Sequence, residues 1–170
     1  MLKWLGAILL GGAALLTGRY FSQNMIQRRR ELEAIVGMIG RMKDDIRYNG
    51  SDVCSLVRKT IHASLAAPLS FLSRCIARCD AGEPFPNAWR AALDESQKEM
   101  HLSQEEMTQL VSFGGRLGAT DLEGQMAHCE LYLREFERLL QEVRSQESIK
   151  SRLYRSLSML ACAAVIILSV

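Results

Sequence analysis

Several features that mark catalytic proteins are missing from this sequence of 170 residues. It has no G-x-x-x-x-G-K-[ST] phosphate loop, no nucleophile elbow of the G-x-S-x-G type, and no carboxylate-rich motif around its three histidines. No run alternates apolar and polar residues for long enough to predict a strand. These absences argue against a P-loop ATPase, a serine hydrolase and a β protein. They predict a protein that is not an enzyme and that binds no cofactor.

An excess of positive charge is also missing from most of the chain. Of the 21 basic residues only Lys3, Arg19 and Arg155 lie outside residues 23–152, so this stretch carries 18 basic residues against all 19 acidic ones. Binding to phosphate backbones needs a concentrated basic face. We therefore expect no nucleic-acid partner, and the one basic run, Arg28–Arg30, needs another explanation.

The cysteines lack the spacing of a redox or zinc motif. There are five, Cys54, Cys75, Cys79, Cys129 and Cys162, with no C-x-x-C pair. Cys75 and Cys79 are spaced to share one helix face, but the spacing indicates no third or fourth metal ligand. Cysteine is a common buried residue in reduced proteins. The sequence therefore predicts thiols that pack in a core and no metal site.

Apolar residues, which make up 48% of the chain, are concentrated at its two ends. Residues 1–16 are interrupted only by Lys3, and residues 157–170 carry no charge. With flanking residues, each run is long enough to cross a bilayer. We predict transmembrane helices over residues 1–22 and 153–170, with a domain over residues 23–152 between them. The alternatives are a cleaved signal peptide for the first run and a buried core helix for the second.

The basic residues beside these runs predict the topology. They lie on the inner side of each span, which by the positive-inside rule places residues 23–152 in the cytoplasm and both termini outside. On this interpretation Arg28–Arg30 also bind lipid headgroups. The topology-setting residues are Arg19, Arg28, Arg29, Arg30, Lys150, Arg152 and Arg155.

The sequence predicts that the domain over residues 23–152 is helical. Apolar residues three or four apart predict a helix over residues 27–48, with Glu31 and Glu33 on its outer face, ended by Asn49-Gly50. Ser51 or Asp52 caps a second helix that runs to about Leu65. The stripe of the first helix consists of Leu32, Ile35, Val36, Ile39, Met42 and Ile46.

Prolines and glycines separate the next helices. Pro68 fits the first turn of a third helix that ends before Gly82, and Pro86 begins a fourth. A capping box, Ser103 to Glu106, opens a fifth helix, for which Gly118 is the left-handed terminator.

A second capping box, Thr120 to Glu123, opens a sixth helix with Leu122 facing the core. No proline or glycine follows Val143, so this helix is expected to continue into the membrane. The glycines of residues 114–118 are read as allowing close helix approach and a tight turn rather than phosphate binding.

Short connections between six helices predict an all-α, six-helix antiparallel bundle, flanked by N- and C-terminal transmembrane helices. The far ends of the first and last helices, Asn49–Asp52 and Gly118–Asp121, should then lie together on the face away from the membrane. A cytoplasmic partner could dock on that face.

The chain resembles a known family over essentially its full length. The resemblance rests on the opening MLKWLGAILLGGAALLTG, the arginine-rich linker, Gly82-Glu83 with Ala88-Trp89 and Leu93, the apolar C-terminal tail, and the phrase from Phe113 to Asp121 with Gln125 four residues on. These features are similar to stage III sporulation protein AB of endospore-forming bacteria. That family resembles the cytoplasmic domain of inner-membrane platform proteins of type II secretion and type IV pilus systems.

The resemblance implies a scaffold in the channel complex between mother cell and forespore. Its implied partners are a secretion-type ATPase, stage III sporulation protein AA, and other membrane proteins of the same operon. Secretion platforms carry two bundles where this chain has one, so a homo-oligomer would supply the second. The partner-binding candidates are Asn49, Asp52, Gly118, Asp121, Glu123 and Gln125, with Gly114 as a further structural determinant. The alternative function is a membrane-anchored helical signalling domain, although little chain is left outside to sense with.

Overall fold

The described part of the chain folds into six helices. A computed structural model describes the backbone of residues 2–49, 53–61 and 68–169, and the side chains of residues 23–48, 53–61 and 68–147. Across these ranges the structure is helical with no strand, which confirms the all-α class. The helices are α1 (Leu2–Asn49), α2 (Val53–Ile61), α3 (Phe71–Asp80), α4 (Phe85–Ser96), α5 (Gln104–Arg116) and α6 (Leu122–Ser169).

The first and last helices are much longer than the other four. Each has 48 residues, whereas α2 to α5 have between 9 and 13. The uninterrupted course of α6 confirms that it continues past residue 152. In the part of the chain that the structure describes, no helix is both long and apolar enough to cross a membrane. The side chains of both predicted spans, residues 1–22 and 153–170, lie outside the described residues, so the spans remain predictions.

Two proline positions differ from the sequence expectation. Pro68 lies in a turn, and α3 begins only at Phe71. The Leu72 N–H donates to the Leu69 carbonyl, which joins this turn to the start of the helix. Helix α4 begins one residue early, at Phe85, with Pro86 in its first turn. A proline is tolerated there because the N–H groups of a first turn have no intrahelical acceptor to lose.

Helices α1 and α6 run antiparallel along a common seam. Lys43 pairs with Glu130, and Glu33 pairs with Arg144 further along α6. Residue numbers therefore fall along α1 as they rise along α6. We call the end of the bundle where residues 23–31 lie beside residues 144–147 the terminal end, and the opposite end the distal end.

The six helices form a closed ring of contacts, because each packs on the next and α6 returns to α1. The apolar stripe of α1 is buried as the spacing predicts, apart from the partly buried Val36. Two residues contradict the predicted facing. Glu31 is 5% exposed and points inward, while Leu122 is 48% exposed at the start of α6.

Trp89 is the largest side chain at the centre of the core. Its ring packs edge-on against Phe71 and Phe113, with ring centroids 5.0 and 6.1 Å apart. Its Nε1–H donates to the Leu110 carbonyl at 2.9 Å. A Cβ atom built on Gly114 would lie 2.2 Å from Nε1. Real atoms cannot approach so closely, so Gly114 allows the indole to lie against α5. This confirms the expected close approach of helices.

We predict that Gly114→Ala lowers the free energy of unfolding by about 1–3 kcal/mol, because the added methyl group displaces Trp89 from a packed core. Gly115→Ala is the matched control, since nothing lies within 4 Å of a Cβ at that position. The control should leave stability unchanged or raise it by up to about 1 kcal/mol, the helix-propensity difference. Thermal unfolding of the full chain, followed by circular dichroism, measures both. Equal effects of the two substitutions would contradict the packing argument.

Candidate functional site

Among the described side chains, three hydrogen bonds join the arginine run to α5. The Arg28 Nε donates to both carboxylate oxygens of Glu106, at 3.1 and 3.0 Å, and its Nη2 donates to Oε1 at 2.8 Å. The Glu106 side chain has no exposed surface. A buried carboxylate is tolerated only when it is paired and fully hydrogen-bonded. Arg28 supplies that pairing.

Glu106 also forms the capping box that the sequence predicts. Its Oε2 accepts from the Ser103 N–H at 2.6 Å, and the Ser103 hydroxyl accepts from the Glu106 N–H at 3.3 Å. The same carboxylate thus caps α5 and binds α1. Local spacing predicts the first of these contacts, whereas no signal in the sequence predicts the second.

A second buried carboxylate binds the chain segment that precedes α5. Glu31 Oε2 accepts from the His101 N–H at 2.8 Å, and Glu31 Oε1 lies 3.0 Å from His101 Nδ1. This contact explains why Glu31 faces inward although it flanks the apolar stripe. One turn of α1 therefore holds both the start of α5 and the loop before it.

The next arginine of the run reaches α6 instead. Arg29 Nη1 donates to Glu33 at 2.9 Å, and Arg29 Nε lies 3.1 Å from Glu147 without hydrogen-bond geometry. Arg144 also donates to Glu33, at 2.9 Å, and its guanidinium together with Arg29 holds the pKa of the Glu33 carboxyl below its usual range. Ionised groups therefore bridge α1 and α6 at the terminal end.

The three arginines of the run thus differ in their surroundings. Arg28 and Arg29 bind carboxylates of this chain, while Arg30 is exposed. Their expected role in topology and headgroup binding remains a prediction. The side chains of Arg19, Lys150, Arg152 and Arg155 lie outside the described residues.

At the distal end, Gly118 ends α5 as the sequence predicts. Its φ of +82° is a left-handed conformation that side chains other than glycine rarely adopt. A Cβ on Gly118 would also lie 2.7 Å from the Val53 side chain. The turn after α5 therefore lies against the start of α2, at the end of the bundle where the sequence places a docking face.

The cap of α6 differs from the predicted box. Asp121 Oδ1 accepts from the Gly124 N–H at 3.0 Å, and the Gln125 side-chain Nε2 donates to the Thr120 carbonyl at 2.9 Å. Asp121, not Thr120, is the capping residue, so Glu123 falls one position short of a reciprocal contact. A Cβ on Gly124 would lie 2.8 Å from Asp121 Oδ1. No signal in the sequence points to Gly124.

The other docking candidates are only partly described. Glu123 is exposed, Asn49 is the last residue of α1, and the Asn49 side chain and all of Asp52 lie outside the described residues. The structure adds Tyr48, which is 76% exposed. A groove of about 310 Å³ beside it, between α1 and α2, is lined by Arg41, Asp44, Asp45, Tyr48, Lys59 and Thr60.

The described cysteines pack as the sequence predicts. Cys75 and Cys129 are buried, and burial raises the pKa of each thiol to about 11. In the residues whose side chains are described, no three metal-binding side chains come together to hold an ion.

We expect Glu106→Ala to lower the free energy of unfolding by about 3 kcal/mol, since it removes the cap of α5 and leaves Arg28 without its partner. Glu105→Ala, at the exposed neighbouring position, should change stability by less than about 0.5 kcal/mol. Glu106→Gln keeps the shape of the side chain and should have an intermediate effect. Denaturant unfolding of the full chain measures the series, and a Glu106→Ala variant as stable as Glu105→Ala would contradict this account.

Comparison with known proteins identifies the family. The family model for stage III sporulation protein AB matches residues 3–170. Stage III sporulation protein AB of Bacillus subtilis (strain 168) is 26% identical over 170 residues, which cover 99% of each chain. A solved structure of stage III sporulation protein AB superposes with a TM-score of 0.64 at 18% identity, over 72% of this chain and 98% of that chain, and supports the fold. Because the family model spans nearly the whole sequence, this chain belongs to the stage III sporulation protein AB family.

Proposed function

We propose that this protein is a non-enzymatic, two-pass membrane scaffold of the sporulation channel complex between mother cell and forespore. Its bundle projects into the mother-cell cytoplasm and docks a secretion-type ATPase, stage III sporulation protein AA. Other membrane proteins of the same operon, membrane lipids and a second copy of the chain are further partners. Nucleic acid is not among them.

One observation carries this proposal: α1 and α6 run antiparallel and are the two longest helices. In this arrangement the apolar stretches at the start of α1 and the end of α6 belong to the same end of the bundle. Two apolar helices at one end, with basic residues on their inner flanks, suit a domain anchored by both termini. The distal end is then the surface furthest from the bilayer.

The composition of the distal end supports docking there. Tyr48 and the neighbouring Arg47 are both exposed, and tyrosine and arginine are enriched among the residues that contribute most to protein interfaces. The predicted candidates Asn49, Gly118, Asp121 and Glu123 belong to the same end, whereas Asp52 lies outside the described residues. In this proposal Gly118, Asp121 and Gln125 shape the turn, while Tyr48 and Glu123 contact the partner.

Reporter fusions test the topology. We expect a fusion at either terminus of the full chain to report an external location, because basic residues flank both spans on the domain side. A reporter inserted in the exposed turn at residues 97–99 is the internal control and should report the cytoplasm. A cytoplasmic C-terminus would remove the two-pass arrangement from the proposal.

Co-purification with the ATPase tests the docking surface. Tyr48→Ser and Glu123→Ala in the full chain should each weaken the complex by about tenfold, as expected for loss of an interface residue worth 1–2 kcal/mol. Leu131→Ser and Glu137→Ala are the matched controls, because Leu131 is 65% exposed and Glu137 is exposed, further along α6. If no complex forms with the unaltered chain, the ATPase is not the partner. If all four variants bind equally, the docking face is misplaced.

A further inference from the structure

Three thiols come together where α2 packs on α3. Cys54 lies in the first turn of α2, and Cys75 and Cys79 lie one helical turn apart on α3. The side chain of Cys79 interacts with those of Cys54 and Cys75, at the place where α2 and α3 pack on each other. Cys54, which lies far from the other two in sequence, therefore joins them in one cluster.

Contacts beside the cluster support the same placement. Arg58, one turn after Cys54 on α2, makes an ion pair with Asp80, which directly follows Cys79. Cys54 and Cys79 both pack against the core while remaining partly accessible, whereas Cys75 is fully buried. The two partly accessible thiols thus lie on two helices that pack on each other.

We propose that Cys54 and Cys79 form an oxidisable dithiol site, whose disulfide cross-links α2 to α3. A disulfide needs Cβ atoms about 3.5–4.5 Å apart. Cys75 and Cys79 are a poor pair, because Cβ atoms one turn apart on a helix are held about 5–6 Å from each other. Cys54 and Cys79 belong to separate helices, so no single helical backbone fixes the distance between their Cβ atoms.

The reaction balances with a peroxide as the two-electron oxidant. One thiolate attacks a peroxide oxygen, the O–O bond breaks, and a sulfenic acid forms with release of hydroxide, which takes up the proton that the thiol lost. The second thiol then attacks this sulfur, the S–S bond forms, and water leaves. Two thiols and one hydrogen peroxide give one disulfide and two waters.

The surroundings make this reaction slow at neutral pH. Burial raises the pKa of the Cys79 thiol above its usual range, and burial raises that of Cys75 to about 11. Because the thiolate is the reacting species, cross-linking should become faster as the pH rises from about 7 to 9. The site therefore responds to strong or sustained oxidation.

The cross-link would act on the distal end. Cys54 follows Val53, which lies against Gly118 in the turn after α5. A disulfide from Cys54 to α3 would hold the start of α2, and with it Val53, in a fixed position beside that turn. We expect the oxidised chain to melt at a higher temperature than the reduced chain, and a reductant to reverse the shift.

Mass mapping of the full chain in detergent tests the site. The native protein is treated with hydrogen peroxide at pH 7 and pH 9, then denatured, alkylated and digested. We expect two of its five cysteines to escape alkylation and to appear in one peptide pair that joins Cys54 to Cys79, sooner at pH 9. Cys54→Ser and Cys79→Ser should each abolish this pair and the reductant-dependent melting shift.

Two serine variants serve as controls. Cys129→Ser, at a buried thiol on α6 away from the cluster, and Cys75→Ser should both retain the Cys54–Cys79 pair. Melting of each reduced variant verifies that it is folded. The proposal is overturned if the first disulfide of the native chain joins Cys75 to Cys79, if it links two chains, or if Cys54 and Cys79 remain fully alkylated.

Discussion

The antiparallel pairing of α1 and α6 is the constraint on which the rest of the fold depends. These two 48-residue helices present matching apolar stripes, and the four shorter helices close the ring around them. Helices of 9 to 13 residues are marginal in isolation, because few backbone hydrogen bonds offset the cost of starting a helix. Their stability comes from burying apolar side chains such as Trp89 and Phe113 in the core that the long helices provide.

Buried charge sets the register of that packing. Hydrophobic contact alone tolerates small shifts between helices, but an unpaired carboxylate in the interior costs several kcal/mol. Glu106 must therefore meet Arg28, and Glu31 must meet His101, at one level of α1. Because Glu106 also caps α5, a single side chain determines where that helix starts and at which turn of α1 it packs. The exposed ion pairs on the outer surface contribute much less, since water already stabilises those charges.

Much of the fold could be predicted because the signals are local. The Ser103 box, the left-handed Gly118 and the uninterrupted α6 depend on residues within a turn of one another. The errors occurred where distant contacts decide. Local spacing predicts Glu31 on the outer face, because the His101 loop that binds it is 70 positions away. It predicts Leu122 in the core, because the helical phase of Leu122 matches the core, although this residue lies at the end of the bundle and is 48% exposed. At the docking face, the sequence predicts that Gly118 ends α5 and that α6 starts within a few residues. It does not predict that Tyr48 is exposed.

The sequence by itself determined the helical class, most helix ends and the family, since periodicity, caps and glycines act over a few residues. Only the tertiary structure decided which charges are buried, that Gly114 makes room for Trp89, and that Cys54 meets Cys79. Each of these depends on two segments far apart in the chain reaching the same place. The energy of such contacts depends on burial and distance, which exist only once the helices have packed.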